Sequence, residues 1–153
     1  MLYRILDLVA DSANPALALL TIGVAIVDWR AGRRRALLLI ALPTLLGVAS
    51  IYMVQALDRA FSLWQRYMGD YSMHTAFATT LAFSVTMWRP AWRAAVIGIW
   101  VWYLALIVFM RYHTISDVVV AVLVALLVTI PWHVGARAVR RRLIKGSSES
   151  SAA

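Results

Sequence analysis

His113 and Asp117 stand four residues apart in the segment Arg111-Tyr112-His113-Thr114-Ile115-Ser116-Asp117. On a helix beginning at or before His113, that spacing puts both side chains on one face. A carboxylate placed there can hold one ring nitrogen of the imidazole and leave the other free and more basic. This is the orienting logic of a catalytic Asp-His pair. The alternative is a helix cap or a local hydrogen bond. His74 follows Tyr71-Ser72-Met73, where Ser72 can cap a helix whose first free N–H groups suit an anion. Here the alternative is a capping serine followed by an interfacial histidine. Arg59 and Arg66 are seven residues apart, two helical turns, so both can face the same way. Arginine suits bidentate phosphate binding, and the alternative is a side chain that snorkels to a membrane interface.

The elements that must position these residues follow from composition. The chain has 153 residues, 63% hydrophobic and 14% charged, with 15 Lys+Arg against 7 Asp+Glu and a net charge of +8. It is too apolar for a disordered segment or an ordinary soluble domain, and too poor in polar surface for a nucleic-acid binder. With no cysteine, disulfides and thiolate metal sites are excluded. The expected fold is an all-α integral membrane protein, a bundle of about five transmembrane helices.

The first span is expected to begin at Asn14-Pro15, an N-cap and first-turn pair, and to run to Val27. The others run over Ala36–Leu57, Ser72–Trp88, Ala94–Met110 and Ile115–Val134. Leu2–Val9, which carries Arg4 and Asp7, is read as an interfacial segment and not as a cleavable signal peptide. Residues 1–145 form one domain, and the polar tail 146–153 is expected to be disordered.

Charge sets the expected orientation. Arg30, Arg33, Arg34 and Arg35, then Arg89 and Arg93, then Arg137, Arg140, Arg141, Arg142 and Lys145 make up eleven of the fifteen basic residues. Five spans place them all on one side, together with Trp29, Trp88, Trp92 and Trp132. The positive-inside rule makes that side cytoplasmic, with the N-terminus outside and the C-terminus inside. The remaining Arg4, Arg59, Arg66 and Arg111 fall outside with His74, His113, Asp58, Asp70 and Asp117. Ionisable groups at membrane depth are costly and tend to be functional. Structural roles are expected for His133 (interfacial), Trp100 and Trp102 (packing), and Asp28 (balancing the arginines that follow it). Gly23, Gly47 and Gly98 are expected at close helix contacts.

In order along the outer side come Arg-x6-Arg, Ser-x-His-Thr and His-x3-Asp. This order resembles the three-motif pattern of the type 2 phosphatidic acid phosphatase superfamily of lipid phosphatases and phosphotransferases. The family's Lys-x6-Arg-Pro corresponds to Arg59 through Arg66, with Tyr67 for the proline. Its Pro-Ser-Gly-His corresponds to Tyr71-Ser72-Met73-His74. Its Ser-Arg-x5-His-x3-Asp retains His113 and Asp117, with Ile107 at the arginine position. The segment Arg111-Tyr112-His113 looks closer to the sphingomyelin and inositol-phosphorylceramide synthase branch. The resemblance spans about residues 52–125. The family core usually has six spans, one more than expected here.

The resemblance implies in-line attack by His113 on a lipid phosphate, giving a phosphohistidine, with Asp117 orienting the imidazole. His74 would protonate the leaving alkoxide and then deprotonate water or an acceptor alcohol. Arg59, Arg66, Ser72, Met73 and Arg111 would hold the phosphoryl oxygens, with no metal or other cofactor. The implied partners are a phosphorylated lipid and the surrounding membrane lipids, with no nucleic acid; a homo-oligomer is compatible with the sequence. Three other readings stay open at this point. They are a two-His, one-carboxylate metal site, bis-histidine haem ligation, and a non-catalytic lipid-binding or assembly protein.

Overall fold

Apolar runs of this length can satisfy their backbone in lipid only as helices or as a closed barrel. In the computed structural model the described residues form five α-helices: α1 (Leu2–Arg30), α2 (Arg34–Phe61), α3 (Met73–Trp88), α4 (Arg93–Phe109) and α5 (Ile115–Ser150). A 3-10 turn, Pro90–Trp92, joins α3 to α4. The structure describes residues 2–64 and 71–150, and side chains over 4–34, 37–64 and 71–142. Among the described residues four helical segments are long and apolar enough to cross a bilayer: Arg4–Arg30, Leu37–Phe61, Pro90–Phe109 and Ile115–Arg142. Leu8, Leu19, Leu45 and Leu127 remain 65–73% exposed around the bundle, as side chains that face lipid rather than water do. The chain is an all-α membrane protein.

The fifth helix, α3, has only 16 residues, roughly 24 Å at 1.5 Å per residue. It makes up for its length by its position, packed against α1, α2, α4 and α5. Its composition suits the centre, because small and hydroxylated side chains allow helices to approach closely. Thr80 meets Thr129 of α5 at 3.2 Å, and Ser84 meets His133 Nε2 at 3.0 Å. The constant offset between these pairs means that α3 and α5 run parallel in a single register, so their N-termini lie at the same end. Gly47 of α2 completes the contact. A Cβ there would lie 3.1 Å from Thr129 Cγ2 and 3.2 Å from Thr80 Cγ2. Gly23 and Gly98, expected at similar contacts, have open space where a Cβ would be.

Several expectations are corrected. Asn14-Pro15 does not open the first span: α1 starts at Leu2 and carries Pro15 in its interior. Proline removes one backbone donor, but membrane helices tolerate this where neighbours make up the loss. Asn14 turns inward and donates to Tyr103 Oη at 3.2 Å. Leu2–Val9 is therefore the first part of a long helix. His133 is not interfacial but buried, with Ser84 on its Nε2 and the Phe83 ring 5.4 Å away. Trp100 packs and donates to Thr79 Oγ1 at 3.1 Å, whereas Trp102 is exposed. α5 passes Val134, the expected end of the fifth span, and continues through the basic run to Ser150.

Asp28 balances more than the arginines that follow it. Its buried carboxylate accepts from Arg33, from Trp88 Nε1 at 2.7 Å and from Arg89 at 2.8 Å. This ties the end of α1 to the end of α3 at the arginine-rich end of the bundle.

Candidate active site

At the opposite end, the first turn of α3 and the α4–α5 connection converge on α1. His74 and His113 line one cavity of about 310 Å³ with Asp7, Ala10 and Asp11 of α1, Tyr103 and Ile107 of α4, and Tyr112. That volume lies at the lower end of the range for small-ligand sites, roughly 300–1,000 Å³. Each histidine also borders a second cavity. His74 shares one of about 330 Å³ with Asn14, Pro15, Ala18, Tyr52, Met73 and Phe77. His113 shares one of about 410 Å³ with Arg111, Tyr112, Thr114 and Asp117.

Local sequence explains how each histidine is presented. Ser72 caps α3 as expected: its Oγ accepts from Thr75 N–H at 3.4 Å and donates to Thr75 Oγ1 at 2.8 Å. The serine is fully buried, so its hydroxyl is committed to the helix start, and His74 follows on the exposed side of the first turn.

His113 is presented by a tight stop at the end of α4. Arg111 N–H donates to Val108 O at 3.0 Å and Tyr112 N–H to Ile107 O at 3.2 Å. Arg111 has φ 58°, so a non-glycine residue occupies the left-handed position of a Schellman closure. That conformation costs roughly 1–2 kcal/mol for an L-residue. It turns Tyr112 and His113 back over the cavity. Ile107, at the position of the family arginine, is buried as part of the apolar wall. Arg111, four residues on, reaches the neighbouring cavity with His113.

Asp117 is placed differently from the expectation. α5 starts at Ile115, two residues after His113, so the two do not share a helical face. Asp117 Oδ2 accepts from Thr114 N–H at 2.9 Å, while Asp117 N–H donates to Thr114 Oγ1 at 3.2 Å. This is a reciprocal capping box. Among the described residues Asp117 makes no hydrogen bond to His113, and its buried Oδ1 has no partner.

The other expected phosphate ligands divide. Met73 lines the cavity beside His74. Arg59 is exposed on the last turn of α2 and borders none of these three cavities. Arg66 lies outside the described residues. The loop between α2 and α3 is anchored at both described ends. Asp58 Oδ1 accepts from Trp64 N–H at 2.7 Å, and the Trp64 and Tyr71 rings pack with centroids 5.1 Å apart. Burial, reinforced by the Asp58 carboxylate, pushes the Tyr71 phenol up to about 12.

Asp7, Asp11, Tyr103 and Tyr112 were not singled out as site residues from sequence. A signal was available. Asp7, Asp11 and Asn14 recur at i, i+4 and i+7 in an apolar helix, which makes an inward polar stripe. Starting the helix at Asn14 concealed it. Among the described residues no three His, Asp or Glu side chains converge closely enough to hold a metal ion.

Comparison with protein-family models finds no match, and comparisons with curated proteins and with solved structures find none either.

Proposed function

We propose that the protein is a membrane-embedded lipid phosphatase of the type 2 phosphatidic acid phosphatase kind, cleaving a lipid phosphate monoester or pyrophosphate through a phosphohistidine. The observation that carries this reading is the meeting of His74 and His113, from separate elements, on one cavity at a helix-bundle end. Histidine nucleophile and histidine acid must act on two sides of one phosphorus, and a shared cavity is what that requires.

In this reading His113 attacks phosphorus in line, and His74 donates a proton to the departing lipid alkoxide. His74 then takes a proton from water, which attacks the phosphohistidine and frees His113. The unpartnered Oδ1 of Asp117 supplies the acceptor that orients the His113 imidazole when its ring turns toward substrate. Arg111 holds phosphoryl oxygens beside His113, and Arg59 and Arg66 are the further phosphate ligands that the family resemblance implies. Such donors contribute about 2.7–4 kcal/mol each where charge develops.

Asp7 and Asp11 take a different part. Carboxylates repel a phosphate, so they belong with a hydrogen-bond donor, the hydroxyl of the water or alcohol that enters. An alcohol in that place makes the enzyme a phosphotransferase. The first half-reaction is the same for either acceptor. The site faces the non-cytoplasmic side in this reading, with five spans, the N-terminus outside and the basic helix ends in the cytoplasm.

The test is incubation of the purified protein with phosphatidate, a polyprenyl pyrophosphate and phospholipid donors, with and without acceptor alcohols. Phosphate release that survives chelation and disappears in His113→Ala supports the proposal. Unchanged turnover in that variant overturns it.

A further inference from the structure

The buried His133 begins a second polar surface, at the arginine-rich end. His133, Arg137 and Arg140 are spaced four and three apart on α5 and so share one face. With Leu39 and Ile40 of α2, Met87 of α3 and Ala136, they line a cavity of about 60 Å³. The space admits a compact polar group and not a chain. Its inner wall is rigid, since Ser84 holds His133 Nε2 at 3.0 Å.

Its charge is uncompensated. Arg137 donates to the Met87 thioether at 2.8 Å, a weak acceptor for a strong donor. Among the described residues the acidic group in ion pairs is Asp28, taken by Arg33 and Arg89, and neither Arg137 nor Arg140 has a carboxylate partner. Two guanidinium groups over one cavity match the oxygens of a phosphate. The surroundings say what carries it. Leu39 and Ile40 form an apolar floor, and Leu38 and Val139 are exposed nearby in sequence. An anion bound here therefore sits beside hydrocarbon. Basic pockets between membrane helices take anionic headgroups for this reason.

We propose that Arg137 and Arg140 bind the phosphate of an anionic phospholipid between α2, α3 and α5, at a site separate from the cavity lined by His74 and His113. The lipid phosphate displaces the Met87 sulfur from Arg137 and locks α5 against α3.

The full-length protein in detergent, titrated with phosphatidylglycerol, phosphatidylcholine or inorganic phosphate, tests this by thermal unfolding and native mass spectrometry. Phosphatidylglycerol should raise the Tm by several degrees and remain as one retained lipid, while phosphatidylcholine and inorganic phosphate do neither. Arg137→Gln with Arg140→Gln should lose both effects. Arg141→Gln with Arg142→Gln removes the same charge outside the cavity and should keep them. Arg140→Gln alone, at an exposed position, should weaken lipid retention several-fold and serves if the double variant does not fold. A full shift in either cavity variant overturns the proposal. So does an equal loss in the Arg141/Arg142 variant, or an equal shift with inorganic phosphate.

Discussion

Asp28 and Trp88, sixty residues apart, are joined by an indole N–H donated to a carboxylate at 2.7 Å. The same carboxylate holds Arg33 and Arg89, and it is buried. Removing its charge strands two guanidinium groups at a helix junction. Asp28→Asn should lower stability by about 1.5–3 kcal/mol, the scale of hydrogen bonds to a charged group, because both guanidinium groups stay partly hydrated. Arg89→Gln should cost more than Arg33→Gln, since the Arg89 side chain is 29% exposed against 50% for Arg33. Thermal unfolding in detergent ranks the three variants.

Gly47 lies where α2, α3 and α5 meet, and the Thr80–Thr129 contact leaves no room for a larger residue. Gly47→Val should overpack the junction and cost about 1–3 kcal/mol. Gly98→Val, in open space, should leave the Tm much closer to that of the wild type. Equal losses would contradict the three-helix packing.

The two histidines should separate by leaving group. On the proposed mechanism His113→Ala should abolish phosphate release from every substrate. His74→Ala lowers it about 10²–10⁴-fold for a lipid phosphate, whose alkoxide needs a proton. With p-nitrophenyl phosphate the His74→Ala loss in the first half-reaction should be much smaller, because that leaving group departs unprotonated, while hydrolysis of the phosphohistidine stays slow for both substrates. The pre-steady-state burst of leaving alcohol or phenol from the two substrates measures the difference.

Asp11→Asn should slow the second half-reaction more than the first. Quenched, radiolabelled enzyme should then carry more acid-labile phosphohistidine at steady state than the wild type. No rise in label places Asp11 outside the acceptor step.

Tyr71 links folding to alkaline pH. Burial, then the Asp58 carboxylate, raises its pKa in the folded protein from the ordinary 10.0 to about 12. A raised pKa favours the protonated phenol in the folded state. Its contribution is complete below pH 10 and is lost as pH climbs from 10 toward 12. Tyr71→Phe should therefore flatten the fall in stability over that window, measured as Tm against pH.

Apolar runs, one capping serine and the basic clusters were legible in the sequence because each is a local property. The second, third and fourth helices lie close to where hydropathy places them, the fifth starts there and runs past its apolar end, and Ser72 caps α3 as its type predicts. Asn14-Pro15 misled for the same local reason: the pair suits a helix start in water. Packing against Tyr103 lets the helix run through it. The site shows the same division. His74, His113 and Asp117 can be named from spacing, but whether Asp117 orients or caps depends on where α5 begins. That start is set by Thr114, which turns Oδ2 into a cap. The presence of Asp7 and Asp11 beside the histidines depends on how α1 lies against α3 and α4. No spacing along one helix encodes that contact. Hydropathy and charge determined that the chain is a bundle of membrane helices. Side-chain packing between distant helices decided which polar residues share a cavity, because only burial of complementary surfaces brings them together.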